Sequence, residues 1–285
     1  MKSILCVLLL ATLCPPALWA QTVDTPSAAP AQSAAQTSAE TQEQRGRQLL
    51  DQMVTALGGP AWLNRKDMSF HGRVAAFFRG QPNGNIVDFD GWRQFPDATH
   101  PEADRIGFLT DKSMIFPGKK IDVVQIWTAG NGFELTYKGR VNLPKDQVED
   151  YYRRRAHSIE EVIRTWLKAP GVIVISDGTT MVERRMAEKI TVLSANNDAV
   201  TIELDAATHL PLRRTFEWRN TTFKDHDEDA EQYDDYHTIQ GLPTALTITR
   251  YHNGDMASQR FLSKVEYNTN LPAALFNPDN LLKKK

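Results

Sequence analysis

The stretch DAATHLPLRRTFEW, Asp205 to Trp218, gathers an acid, a histidine, two arginines and a threonine within a few residues. An Asp–His pair is the positioning half of a hydrolytic triad, but it needs a nucleophile, and no G-x-S-x-G or other nucleophile signature accompanies it. The alternation around it gives a plainer reading. Val200, Ile202 and Leu204 share one face, and Leu210, Leu212, Phe216 and Trp218 share another. Two strands of a hairpin are therefore expected, with DAATH as their loop and Asp205 bonding the amides of its own turn. Arg214 breaks the pattern, because alternation places a guanidinium on the apolar face. Such a group requires an inward acid, a cavity with water or an anionic ligand group, or a bulge that turns it outward.

A second loaded stretch, KDHDEDAEQYDDYH, places Asp225, Asp227 and Asp229 as in the opening of a calcium loop. Ala230 stands where that loop needs glycine and Tyr236 where it needs glutamate, so a solvated hairpin tip is expected and no metal site. The seven histidines show no H-E-x-x-H or similar spacing. No catalytic residue, metal or cofactor is assigned on these grounds.

The elements that must hold these residues are mostly strands. Segments such as SFHGRVAAFF, GNIVDFDGW, IDVVQIW, FELTYKGRV, AVTIEL and TALTITRYH alternate or run apolar between Gly, Asn and Asp turns. FELTYKGRV sets Phe133, Leu135, Tyr137 and Val141 on one face, and TAGNG links it to IDVVQIW as a hairpin. Helical spacing occurs twice: in RQLLDQMVTALGGP, stopped by Gly58-Gly59-Pro60, and in KDQVEDYYRRRAHSIEEVIRTWLKAPG, where Ser158 and Glu161 form a capping box that restarts the helix. Many short antiparallel strands with two helical regions make an α+β fold, a large sheet that must curl and whose concave face the helices cover.

The remainder of the chain bounds the function. Residues 1–20 combine Lys2, the apolar run ILCVLLLATLC and a small-residue end, the pattern of a secretory signal peptide. Both cysteines, Cys6 and Cys14, lie inside it, so disulfides and thiolate chemistry are not expected in the exported chain. Residues 21–44 are Ala, Gln, Ser, Thr and Pro with one bulky apolar residue, which reads as a disordered linker. Residues 45–285 are the folding unit, with no transmembrane segment expected after signal removal. The net charge of −2 leaves no nucleic-acid footprint.

The motifs DAATHLPLRR, YDDYHTIQGLPTALTI and VEYNTNLPAALFNPD, with ALGGPAWLNRKDMSFHG near the start, carry a family resemblance. The chain resembles the bacterial outer-membrane lipoprotein-sorting (LolA/LolB-like) superfamily. His209 stands where that family usually has glycine, and Leu242-Pro243 comes earlier than its usual proline. The resemblance implies a half-barrel of about eleven antiparallel strands, lidded by helices, whose cavity receives acyl chains. The function expected is therefore a periplasmic or secreted, non-enzymatic carrier for lipid or lipoprotein acyl chains. The alternative is an envelope sensor domain that receives a peptide or an envelope protein; a periplasmic hydrolase ranks third. Expected cavity-lining residues are Phe133, Leu135 and Tyr137 from one hairpin. Ile202, Leu204, Leu212, Arg214, Phe216 and Trp218 come from the other, and Trp166 and Leu167 from the lid.

Overall fold

The computed structural model describes residues 29–84, 86–111, 118–220, 222–223, 225–280 and 282. The expected signal peptide, 1–20, lies outside the described residues. From Ala39 onward the chain forms one compact unit.

The helix α1, Ala29–Ala56, begins inside the segment read as a linker. Ala, Gln and Glu are strong helix formers, and that propensity acts where apolar burial does not. Glu43 and Arg47 add an i,i+4 ion pair at 2.8 Å. A single turn, α2 (Pro60–Leu63), follows with proline at its first position.

The first half of the sheet comprises β1 (Asp67–Phe78), the two-residue β2 (Gln81–Pro82), β3 (Val87–Gln94), β4 (Ala103–Asp111), β5 (Lys119–Thr128), β6 (Asn131–Thr136) and β7 (Gly139–Asn142). Helices α3 (Lys145–Ala156) and α4 (Ile159–Arg164) then lead through a 3-10 turn, Trp166–Lys168, to the second half. That half holds β8 (Ile173–Val182), β9 (Arg185–Leu193), β10 (Ala199–Asp205), β11 (Pro211–Asn220), β12 (Asp225–Ile239), β13 (Leu242–His252) and β14 (Asp255–Tyr267).

All pairings are antiparallel within one open, curved, 14-stranded sheet among the described residues. Its order is β7-β6-β5-β4-β3-β1-β14-β13-β12-β11-β10-β9-β8, with β2 pairing β1 off this path. The first and last strands are thus neighbours in the middle, and each half meanders out to its own edge. The chain leaves one edge at β7 and re-enters at the other at β8, so α3 and α4 form the crossover between the two edges.

The strand count exceeds the expected eleven partly because FELTYKGRV is two strands. It turns at Tyr137-Lys138, which leaves Tyr137 half-exposed in the turn rather than on an inner face. The acidic stretch is a correction too. It is not a hairpin tip but most of the 15-residue β12, and Asp229 within it is fully buried. Its inward positions are occupied because they meet arginines of the neighbouring strands, as described below.

The main core joins Leu49, Leu50 and Met53 of α1 and Ile159, Val162 and Ile163 of α4 to the inner positions of β8–β11. Gly46 lets α1 approach β8 closely: a Cβ there would lie 3.0 Å from the Ser176 amide. The predicted break at Ser158 is present, its Oγ accepting from the Glu161 amide at 3.2 Å. The α1 and α4 side chains fill the β8–β11 end of the concave face.

Candidate functional site

A cavity of about 440 Å³ lies between the strands β1, β3–β5 and β11–β14 and the helices α2–α4. One part of its lining is apolar: Leu57, Trp62, Met68, Phe70, Ile106 and Leu262. Phe70 is held edge-on to Phe89 with ring centres 5.9 Å apart. It also covers Gly91 across the strand pair, where an added Cβ would fall 2.1 Å from the ring. Glycine at 91 is what lets the Phe70 ring lie flat on the sheet.

The other part is a wall of guanidinium groups. Arg93 directs Nε and Nη2 at the two Asp104 oxygens at 2.6 and 2.8 Å. Tyr151 of α3 donates its hydroxyl to the same carboxylate and stacks on Trp127 at 4.6 Å. Arg155 pairs with Glu102, Arg154 with Asp150, and Arg65 with Glu160 at 3.5 Å. Arg65 also lies over Trp62 and Phe95, 4.7 and 4.6 Å from their centres. Arg250 meets the buried Asp229 at 2.7 Å.

The last carboxylate is shared. Arg214 Nη2 reaches Glu231 Oε2 at 3.1 Å, and Arg260 Nη2 approaches Oε1 at 3.6 Å. Tyr233 adds a hydroxyl donor to Oε2 at 3.0 Å. Seven arginines line the cavity, and six carboxylates pair with them. The electrostatics follow from that imbalance. Burial alone would raise the Glu231 carboxyl, but the Arg214 and Arg260 guanidiniums hold it well below the usual carboxylate range. Arg260 is shifted the other way: burial lowers it, Arg93 and Arg154 add to that, and Glu231 only partly offsets it. Burial likewise raises the Asp229 carboxyl despite Arg250.

Of the residues expected from sequence to line a cavity, Arg214 is the one that lines this one, 1% exposed and paired with an inward acid. Ile202, Leu204 and Phe216 are buried in the main core, with Trp166, Leu167 and Trp218 packed against it. Leu212 belongs to a small cluster with Val182 and Ala187; Leu135 belongs to another with Val124 and Ile126, against which Phe133 packs. Phe216 and Trp218 also border a more open groove of about 680 Å³ with His157 and Asp198. The sequence reading missed Arg93, Asp104, Glu231 and Arg260. Strand alternation places Glu231 with Tyr233 and Arg260 with Leu262 on inward faces, but the register that brings them together is a tertiary fact.

The Asp–His reading of the hairpin loop finds no support in its geometry. Asp205 accepts from the amides of Ala207 and Thr208 at 3.0 and 2.9 Å, which occupies it in the turn. Burial opposes the effect, yet these N–H groups hold its carboxyl below the ordinary value. His209 has a φ of 58°, the left-handed conformation for which glycine is the usual residue. His157 stacks on Phe216 at 4.1 Å. Its Nδ1 faces the Arg153 carbonyl at 2.6 Å and its Nε2 the Asp198 carboxylate at 2.9 Å, so neither nitrogen remains to activate a hydroxyl. Among the described residues there is no cluster of metal-ligating side chains and no helix long and apolar enough to cross a membrane.

No protein-family model matches the chain. No curated protein does either. Among solved structures it is similar to a DUF1329 family protein from Desulfovibrio piger, at 13% identity and a TM-score of 0.54, covering 85% of this chain and 99% of that one. An outer membrane lipoprotein-sorting protein domain from Vibrio parahaemolyticus aligns at 11% identity and a TM-score of 0.50, covering 82% and 97%. A LolA superfamily protein from Nitrosomonas europaea aligns at 10% identity and a TM-score of 0.46, covering 83% and 99%. At these identities the likeness to the DUF1329 protein and the lipoprotein-sorting domain is one of overall fold.

Proposed function

We propose that the protein is an exported, non-enzymatic carrier or binding protein for amphiphilic, lipid-like molecules, held between the concave face of the sheet and the crossover helices. The observation that carries this reading is the cavity of about 440 Å³, apolar on one side and rich in guanidinium groups on the other. Its size falls in the range of small-ligand pockets, ~300–1,000 Å³. An acyl chain laid along Phe70, Met68 and Leu262 gains ~0.8 kcal/mol for each methylene taken from water. The lipoprotein-sorting fold supports the same reading.

The crossover is the movable cover in this mechanism. Of its two helices, α4 is anchored in the main core by Ile159, Val162 and Ile163, whereas α3 buries no residue of its own. Helix α3 meets the sheet through half-buried and exposed side chains: Tyr151 with Asp104 and Trp127, Tyr152 with the Asn131 carbonyl, Arg155 with Glu102, Arg153 over Trp218 and Asp150 with Arg250. A helix held by such contacts lifts at smaller cost than one anchored by a core stripe. The work is done in the periplasm or outside the cell, after removal of residues 1–20. The test is native mass spectrometry of the protein purified without detergent. A bound mass released as lipid on activation is expected. An empty protein carrying a stoichiometric peptide would instead favour the sensor, and bound zinc with turnover the hydrolase.

A further inference from the structure

If the cavity holds amphiphiles, its chemistry says which kind. Pairing the acids one by one leaves a surplus of positive charge. Asp104 is matched by Arg93, Glu102 by Arg155, Asp150 by Arg154, Glu160 by Arg65 and Asp229 by Arg250. Arg214 and Arg260 are left with Glu231 between them.

Two further observations place the surplus at the cavity. Arg214 is 1% exposed and lines it, yet neither its Nε nor its Nη1 has a hydrogen-bond partner among the described residues. Buried guanidinium N–H groups without acceptors cost free energy, and a ligand oxygen is the acceptor that relieves it. Arg260 meets Glu231 only at the longer distance of 3.6 Å and faces Arg93 and Arg154 as well, which disfavours its charge unless an anion joins it.

We infer that the Arg214–Glu231–Arg260 group is the headgroup site of the proposed carrier, and that its ligand is an acidic amphiphile whose carboxylate or phosphate bridges the two guanidiniums. The inference rests on the carrier reading and adds the class of cargo. The apolar wall takes the chain, and the guanidinium wall takes the oxyanion. A neutral lipid of equal chain length leaves those N–H groups unmatched.

The experiment is calorimetric titration of the full folded chain, stripped of lipid, with three probes: myristate, its neutral monoglyceride, and inorganic phosphate alone. Myristate is expected to bind at least about tenfold tighter than the monoglyceride, about 1.4 kcal/mol. That ratio should shrink as salt rises. Phosphate alone should give no saturable heat. In Arg260→Met the preference should fall to about twofold or less. The wild-type comparison stands by itself if that variant does not fold. Equal binding of acid and monoglyceride by the wild type overturns the headgroup inference and leaves the carrier reading intact. A preference that survives in both Arg260→Met and Arg214→Met also overturns it. Binding of phosphate without either amphiphile makes the ligand a soluble anion and removes both readings. No binding of any probe removes the carrier reading, and this inference with it.

Discussion

At the scale of single residues, Arg214 decides the most. Removing its charge leaves Glu231, whose side chain is 19% exposed, with one distant cation, and a fully buried pair broken on one side costs ~3–5 kcal/mol, an upper limit here. Arg214→Met should therefore lower the unfolding free energy in urea by up to that much, and adding Glu231→Met should restore part of it. Acid should act through the same group. The Glu231 carboxyl is depressed in the folded chain, so its contribution is present above the unfolded value of about 4.3 and is lost as pH falls below it. Asp229, raised by burial, works in the opposite sense and gains from protonation. The urea midpoint should fall from pH 5 towards pH 3, and Glu231→Gln should flatten that slope. Alternation alone makes Arg214 legible as an inward cation with a need for an acid. Its partner was not legible, because Glu231 sits among the many acids of β12 and only the pairing Arg214–Glu231 across β11 and β12 singles it out.

Among the elements, β1 with β3 and the β10–β11 hairpin give the sharpest expectations. Gly91→Ala would drive a methyl into the Phe70 ring, so the ring must swing into the cavity or the strands must part. A loss of ~1–3 kcal/mol is expected by thermal or urea unfolding, with weaker binding of any chain packed on Phe70. In the hairpin loop, His209 holds a left-handed φ that costs an L side chain ~1–2 kcal/mol, of which glycine's greater unfolded-state freedom takes back part. His209→Gly should raise stability by about 0.5–1 kcal/mol, read as a small rise in Tm. This loop was legible in full, since Asp205 bonds the amides that its position predicted. FELTYKGRV was not. Its alternation is continuous through Tyr137, and nothing local marks the turn at Tyr137-Lys138 except Gly139 after it. Ile202, Leu204 and Phe216 are buried as inner-face residues, but α1 and α4 fill that end of the sheet, and no periodicity says which end helices fill.

For the molecule as a whole, the curved antiparallel sheet and the helical cover were readable from strand spacing and turn residues; the strand order was not. The free edges, β7 and β8, lie as far as possible from the β1–β14 pairing. Hydrogen exchange should reflect this, with β1 and β14 amides the slowest and β7 amides among the fastest. Equal protection across the sheet would contradict the order described.

The central place of β14 also governs when the sheet can be assembled. Met68 pairs with Tyr267, and Gly72 makes room at the bulge opposite Phe261 and Leu262, so the two halves are stitched along a seam whose threads come from opposite ends of the polypeptide. Until the last of these strands has emerged from the ribosome, the earlier meander has no inner border to grow against and stays open. Such a chain stays loose until its last strand is available and closes late, through contacts distant in sequence.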